Sequence, residues 1–178
     1  MSDIEHLRSL IKDIPDFPRK GIIFHDIFPI FKEPTATEMF VSHIVNHINV
    51  TIKKKVDVIV GLDARGFLFG PMVALRLNAA FVPSRKKGKL PGKTISADFK
   101  KEYGVDTFEM QADAIKPGQN VIIVDDLIAT GGTAAAAGQL VEQSGGKILE
   151  YIFMIELTDL NGRKNLAAPV YSLITFNV

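Results

Sequence analysis

The 178-residue sequence, with 47% hydrophobic side chains, is long and apolar enough for one globular domain with a sizeable core. Its 21 lysines and arginines nearly balance its 20 aspartates and glutamates, so the net charge favours neither a nucleic acid nor an anionic membrane as a partner. The absence of cysteine excludes disulfides, thiolate metal sites and cysteine nucleophiles.

The first part of the chain predicts two helices. Its start has no apolar segment typical of a signal peptide, and no run in the chain is long enough to cross a membrane, so we expect a cytoplasmic protein. Ser2 can cap a first helix, in which apolar residues recur at helical spacing as far as Ile14 and which Pro15 ends. Thr35 and Glu38 match a capping box at the start of a second helix.

Short apolar runs alternate with helical segments from residue 56 onward. The runs are rich in β-branched residues, as is typical of strands buried on both faces of a parallel sheet. The predicted strands are residues 56–62, 80–82, 121–124, 148–157 and 171–176, and the predicted helices are residues 67–77 and 133–143. This alternation implies right-handed crossovers, so we predict an α/β fold with a doubly wound parallel sheet, formed by residues 1–178 as one domain. Ligands of such sheets bind at the carboxyl ends of the strands.

Residues 85–111 interrupt this alternation. Their first part is rich in lysine, glycine and proline, and two predicted strands follow over residues 94–99 and 107–111. This order predicts a hairpin arm that stands off the sheet. The basic residues near its start are Arg85, Lys86, Lys87, Lys89 and Lys93. By itself, such a run is as typical of a solvated loop as of a binding site.

The sharpest feature is the segment VIIVDDLIATGGT at residues 121–133. Amides freed by Gly131 and Gly132 at the start of a helix attract an anion such as phosphate, whereas the adjacent Asp125 and Asp126 repel one. A ligand with both a phosphate and a neutral diol resolves this conflict, because carboxylates accept hydrogen bonds from ribose hydroxyls. The segment therefore predicts a ribose 5-phosphate site. A solvated turn before an ordinary capped helix would explain the two aspartates but not the whole arrangement.

The segment at residues 121–133 resembles the phosphoribosyl-diphosphate signature of the type I phosphoribosyltransferases. Other segments resemble the adenine-specific branch of that family, at residues 17–18, 21–24, 61–70, 85–92 and 102–104. The resemblance implies the type I phosphoribosyltransferase fold, with a small N-terminal hood over residues 1–34 that binds the base and a flexible β-hairpin arm over residues 85–111 that closes over the active site. It also implies the reaction: adenine displaces diphosphate from 5-phosphoribosyl 1-diphosphate (PRPP) and gives AMP, a step of purine salvage.

The resemblance also implies a role for individual residues. The sugar phosphate of PRPP and AMP would meet Asp125, Asp126, Ala129, Thr130, Gly131, Gly132 and Thr133. The diphosphate would meet Asp63, Ala64, Arg65, Arg85, Lys86 and Lys89, with a cis peptide between Asp63 and Ala64. Adenine would meet Phe24, the backbone of Ile23, and Arg65; His25 stands where many family members have arginine, and its contact with the base or Arg65 is left open. Glu102 would be the catalytic proton-transfer residue and Tyr103 part of the lid.

The same resemblance implies Mg²⁺ held mainly by substrate oxygens, with no metal site built from protein side chains, and a homodimer. Two other classes of protein remain to be distinguished. A regulator that binds the ligand without catalysis would usually add a DNA-binding segment, which the sequence lacks. A receiver-like switch would place its carboxylates near an earlier strand and has no use for the glycine loop at Gly131.

Overall fold

Nine strands and five α-helices form the regular structure of residues 2–100 and 105–177, the part of the chain that the computed structural model describes. The helices are α1 (Asp3–Leu10), α2 (Phe28–Lys32), α3 (Pro34–Thr51), α4 (Gly70–Arg76) and α5 (Gly132–Gln143). The strands are β1 (Lys12–Pro15), β2 (Ile23–Asp26), β3 (Val58–Leu62), β4 (Ala80–Lys86), β5 (Thr94–Lys100), β6 (Val105–Gln111), β7 (Asn120–Ile128), β8 (Lys147–Leu157) and β9 (Val170–Phe176). Short 3₁₀ helices cover Arg65–Leu68, Thr158–Leu160 and Gly162–Asn165. No helix of these residues is both long and apolar enough to cross a membrane.

Seven of the described strands form one mixed sheet, in the order β5-β6-β4-β3-β7-β8-β9. Strands β4, β3, β7, β8 and β9 run parallel, whereas β6 pairs antiparallel with both β4 and β5. The parallel strands confirm the predicted α/β fold. The predicted hairpin is also present, but it does not stand off the sheet, because β6 pairs with Arg85 and Lys86 at the end of β4. The arm therefore continues the edge of the sheet.

Helices cover both faces of the parallel strands, as a doubly wound sheet requires. Along β7, Ile122 and Val124 pack in a cluster with α3 and α4, whereas Val121 and Ile123 pack in a cluster with α5. All four side chains are fully buried. Because successive residues of a strand point to opposite faces, a continuous apolar run supplies both cores at once.

The direction in which the chain winds reverses between β3 and β7, at the centre of the sheet. From β3 the chain passes through α4 to β4 on one side, and from β7 it passes through α5 to β8 on the other. The two crossovers leave a crevice at the carboxyl ends of β3 and β7. An open α/β sheet binds its ligands at such a point.

The N-terminal segment differs from the predicted long helix. Ser2 caps α1 as expected, since its Oγ accepts a hydrogen bond from the Glu5 amide and the Glu5 carboxylate accepts one from the Ser2 amide. The helix nevertheless ends at Leu10, and residues 12–15 form β1, which pairs antiparallel with β2. The apolar spacing misplaced the end of the helix because Ile14, which continues the helical period, belongs to this strand.

Two other helix boundaries also differ from the prediction. The capping box at Thr35 and Glu38 is wrong: α3 begins at Pro34, and the Glu38 carboxylate instead lies 2.6 Å from the Arg76 guanidinium. Proline suits the first position of a helix because its missing amide hydrogen has no intrahelical partner there. The helix predicted over residues 67–77 is divided into a 3₁₀ turn and α4.

Candidate active site

Two adjacent carboxylates lie near the carboxyl end of β7. The strand extends to Ile128, so Asp125 and Asp126 belong to it instead of following it. Asp126 is only 4% exposed, and its Oδ2 lies 2.9 Å from Nε of Arg65. The Asp126 amide donates a hydrogen bond of 2.9 Å to the Asp125 carboxylate. These contacts hold both carboxylates in place beside the crevice.

The environment of these two carboxyl groups raises their pKa values. Burial, followed by the charge of Asp126, holds the pKa of Asp125 well above its ordinary value. Burial also raises the pKa of Asp126, although the Arg65 guanidinium acts in the opposite direction. Hydrogen bonds donated by a ligand would favour the ionised carboxylates. The pair is therefore suited to a ligand with neutral hydroxyl donors.

A glycine turn connects β7 to α5. Gly131 has a φ of 80°, a left-handed conformation that glycine adopts without steric penalty. Helix α5 begins at the next residue, and Gly131 has no side chain that could cap its first amides. Amides at the start of a helix carry partial positive charge and attract anions. Residues 129–133 therefore offer a phosphate site next to the two carboxylates.

Two adjoining cavities occupy the crevice. The larger, of about 640 Å³, is lined by residues 125–134 together with Arg19, Arg65, Phe99 and Phe153. The smaller, of about 190 Å³, is lined by Asp63, Ala64, Arg65, Lys86, Phe99, Asp106, Phe108, Asp125, Asp126 and Thr133. The larger volume is typical of a small-molecule site. The structure thus brings every residue that was predicted to meet the sugar phosphate to one cavity.

The residues predicted to meet the diphosphate are only partly brought together. The expected cis peptide joins Asp63 to Ala64, and both residues line the smaller cavity with Arg65 and Lys86. Arg85 donates from Nε to the Asp63 carboxylate over 2.8 Å and from Nη1 to the Lys89 carbonyl over 3.2 Å. Lys89 is exposed and lines neither cavity. In this conformation Arg85 binds the Asp63 carboxylate at the turn, and Lys89 faces solvent.

The residues predicted to meet the base divide between the two faces of β2. Phe24 lies beneath the Arg65 guanidinium, which is 4.9 Å from the centre of its ring, and Ile23 is 57% exposed. The His25 ring stacks on Phe176, and its Nδ1 lies 2.6 Å from the Asp13 carboxylate. Successive side chains of a strand point to opposite faces. The structure therefore brings Phe24 to Arg65 and directs His25 away from it.

Glu102 and Tyr103 lie outside the described residues, so their roles stay predictions. Strand β5, which precedes them, brings Phe99 against the glycine turn. A Cβ atom built on Gly132 would lie 2.9 Å from the Phe99 ring. The described part of the arm therefore packs against the start of α5.

Sequence reasoning missed four residues that line the larger cavity outside the segment at residues 121–133: Arg19, Phe99, Ala134 and Phe153. The apolar residues of β5 recur at every second position, ending at Phe99, and this alternation indicates that Phe99 lies on the inward face. Arg19 has no such signal, because its approach to the cavity depends on the turn between β1 and β2.

A family model described as the phosphoribosyl transferase domain matches residues 31–177, which include the whole seven-stranded sheet and the glycine turn. The chain therefore belongs to the phosphoribosyltransferase family.

Within this family the chain is similar to adenine phosphoribosyltransferases. The adenine phosphoribosyltransferase of Yarrowia lipolytica is 58% identical over 170 residues, which cover 95% of this chain and 93% of that protein.

Two solved structures show the same similarity. The structure of the Saccharomyces cerevisiae adenine phosphoribosyltransferase, complexed with adenine and an imino-altritol bisphosphate, has a TM-score of 0.92 at 49% identity, covering 96% of this chain and 98% of that one. The structure of the Trypanosoma brucei protein, in complex with AMP, pyrophosphate and ribose-5-phosphate, has a TM-score of 0.89 at 27% identity, covering 98% of this chain and 80% of that one.

Proposed function

We propose that this protein transfers the 5-phosphoribosyl group of PRPP to N9 of adenine, giving AMP and diphosphate in a step of purine salvage. The observation that carries this proposal is the single cavity of about 640 Å³ in which residues 125–134 meet Arg65. A phosphate site, two hydroxyl acceptors and a cation are the groups that a ribose phosphate bearing a diphosphate requires. The similarity to the Saccharomyces cerevisiae protein, solved with adenine and a sugar bisphosphate, supports the same reaction.

The sugar phosphate binds at the carboxyl end of β7. The carboxylates of Asp125 and Asp126 accept hydrogen bonds from the ribose hydroxyls, while residues 129–133 bind the 5-phosphate through their amides and the Thr130 and Thr133 hydroxyls. The Arg65 contact with Asp126 supports this division of roles, because the guanidinium partly offsets the charge of the pair. The phosphate can then bind nearby without strong repulsion.

The base binds against β2. The Phe24 ring offers an apolar face to a flat purine, and the backbone of Ile23, a residue that is 57% exposed, offers the donor and acceptor that distinguish adenine from 6-oxo purines. Arg65 lies over Phe24 and borders both cavities. Its guanidinium is therefore within reach of both the base and the diphosphate.

Diphosphate leaves from C1 of the ribose once its charge is neutralised. Arg65 and Lys86, which line the smaller cavity, supply part of this neutralisation. Mg²⁺, if it is bound mainly by the oxygens of the substrate, would supply the rest as a Lewis acid. Asp126 suits this arrangement, since its carboxylate already pairs with Arg65.

The arm over residues 85–111 closes on the bound substrates. Closure brings Glu102 to the base, where its carboxylate accepts the proton that adenine loses, and Tyr103 helps to exclude water. The contact between Phe99 and Gly132 supports a path of closure toward the start of α5.

The active protein is a homodimer. Helix α4 supports this proposal, because Met72 and Leu75 are 42% and 82% exposed and lie one turn apart on the same face. Exposed apolar faces of this kind are commonly covered by a partner. The cytoplasmic location stays a prediction from the sequence.

A base panel tests the proposed reaction. The purified protein is given PRPP and Mg²⁺ with adenine, hypoxanthine or guanine, and nucleotide formation is followed by chromatography. We expect AMP from adenine and little product from the other bases, because the base site accepts a hydrogen bond from the exocyclic amine and would leave that acceptor unpaired against a 6-oxo group. Comparable turnover of hypoxanthine would contradict the base assignment. Binding of PRPP without any nucleotide product would instead indicate a regulator.

A further inference from the structure

A segment behind the phosphate site has no role in the proposed reaction. We define the phosphate loop as residues 129–132 and the backing segment as residues 158–165, which follow β8. The two segments are in close backbone contact. A Cβ atom built on the buried Gly162 would lie 2.1 Å from the Ala129 carbonyl oxygen, and one built on Gly131 would lie 2.5 Å from the Gly162 carbonyl oxygen. No other residue fits at either position without moving the loop.

Asn165 makes the polar contact between the two segments. Its side-chain amide donates a hydrogen bond of 2.8 Å to the Thr130 carbonyl. The peptide that joins Thr130 to Gly131 is trans, so its carbonyl and its N–H point in opposite directions. Holding the carbonyl toward the Asn165 side chain therefore turns the Gly131 N–H away from that side chain. The N–H is one of the amides that the proposed phosphate site needs.

The backing segment is itself anchored to the sheet. Arg163 binds the buried Glu156 carboxylate at the end of β8 through both Nε and Nη2, with Nε 2.7 Å from Oε1. The Arg163 hydrogen bond holds the pKa of Glu156 below its ordinary value. Thr158 donates a hydrogen bond of 2.8 Å to Asn177, beyond the end of β9. The segment is thus fixed at both ends and can hold the phosphate loop in position.

We propose that Asn165 and Gly162 position the phosphate loop and so set the affinity for the phosphate of the sugar, without touching the ligand. The inference rests on the proposed function in one respect, that the ligand of this loop carries a phosphate. Asn165 is exposed, so replacing it leaves the core intact.

The test compares Asn165→Ala and Asn165→Asp with the wild type, and Lys164→Ala as the control. Lys164 is a neighbouring exposed residue that lines neither cavity. Calorimetry measures the Kd for ribose 5-phosphate and for adenine, and steady-state kinetics measures KM for PRPP and for adenine. A lost hydrogen bond to the loop predicts a rise of about threefold to tenfold in the Kd for ribose 5-phosphate and the KM for PRPP in Asn165→Ala. Asn165→Asp should lose more, because its carboxylate repels the Thr130 carbonyl.

The adenine values distinguish positioning from a general structural effect. We expect both adenine constants to stay within about twofold in the Asn165 variants, because Asn165 bonds to the phosphate loop, whereas the proposed base site is formed by Phe24 and Arg65. Lys164→Ala should leave all four constants unchanged. Unchanged ribose 5-phosphate affinity in both Asn165 variants would overturn the inference, as would an equal loss for adenine.

Gly162→Ala is a second test, with an expected loss of ribose 5-phosphate binding larger than that of Asn165→Ala because its new methyl group collides with the Ala129 carbonyl. Failure of the proposed reaction would be distinguishable from failure of this inference. If the wild type binds ribose 5-phosphate but forms no AMP, the proposed reaction is contradicted. The Kd values of the wild type and the Asn165 variants for ribose 5-phosphate would still decide the role of Asn165.

Discussion

Asp125 combines a functional advantage with a structural cost. In the proposed reaction its carboxylate accepts hydrogen bonds from the ribose, yet burial and the neighbouring Asp126 raise its pKa well above the ordinary value. A carboxyl whose pKa is higher in the folded protein than in the unfolded chain binds protons more tightly when folded. Its contribution to stability is therefore present at low pH and is lost as the pH rises from the unfolded pKa, about 4, through the raised folded pKa.

Replacement of Asp125 by asparagine should separate these two effects. We expect Asp125→Asn to raise the melting temperature at neutral pH, with a smaller gain near pH 4, while KM for PRPP rises more than KM for adenine. Thermal melts at both pH values measure the change in melting temperature, and steady-state kinetics measures the two KM values. Equal changes in the two KM values would count against the ribose role, and a gain in melting temperature that does not depend on pH would count against the raised pKa.

Gly131 has a φ of 80°, and its surroundings leave no room for a side chain. Gly131→Ala should destabilise the fold by about 1 kcal/mol through the left-handed backbone and should also abolish ribose 5-phosphate binding. Gly118 is a matched control, because it has a φ of 85° but open space around it. Gly118→Ala should lose only the stability that the left-handed backbone costs, measured by urea unfolding, and should bind ribose 5-phosphate normally. If both variants bind ribose 5-phosphate normally, the loop is not the phosphate site.

Among the elements, the arm carries the predicted proton-transfer residue, Glu102, and the predicted lid residue, Tyr103. Its two strands are described, but Glu102 and Tyr103 between them are not, so the arm's mobility and its catalytic glutamate stay predictions. The pairing of β6 with β4 ties one end of the arm to the sheet at Arg85 and Lys86. We therefore expect the arm to bend at this junction when it moves.

Glu102→Gln tests the role of the arm in proton transfer. The change keeps the shape and hydrogen-bonding capacity of the side chain but removes its charge and basicity. We expect kcat to fall by about 10²- to 10⁴-fold, with little change in KM for PRPP, because the proposed sugar-phosphate site lies at β7, outside the arm. Single-turnover measurements isolate the chemical step. An unchanged rate of that step would mean that the proton leaves by another route.

At the scale of the whole molecule, the exposed apolar face of α4 is the most informative surface for the proposed homodimer. Leu75 is 82% exposed, so Leu75→Glu should leave the folded protomer intact while placing a charge in a buried interface. We expect analytical ultracentrifugation to show a shift from dimer toward monomer. Val50→Glu is the control, since Val50 is 61% exposed on a different helix, α3. A Leu75→Glu variant that remains fully dimeric would place the interface elsewhere.

The central strands, the helices that follow them and the phosphate loop could be predicted from the sequence by itself. Each depends on a local pattern: continuous apolar residues in β3 and β7, and adjacent aspartates followed by Gly131 and Gly132. A strand buried on both faces and an anion-binding turn are determined by residues that are close together in the chain. The resemblance to the phosphoribosyltransferases added the roles of the individual residues and the cis peptide at Asp63.

Only the tertiary structure decided how distant segments meet. Residues 12–15 form a strand because β2 pairs with them, and His25 faces Phe176 because β2 lies beside the end of β9. The hydrogen bond from Asn165 to Thr130 joins residues 35 positions apart. No short-range periodicity of apolar residues predicts such contacts, since they depend on the packing of whole elements against the sheet. The sequence thus determines the phosphate loop, and the fold determines what holds it in place.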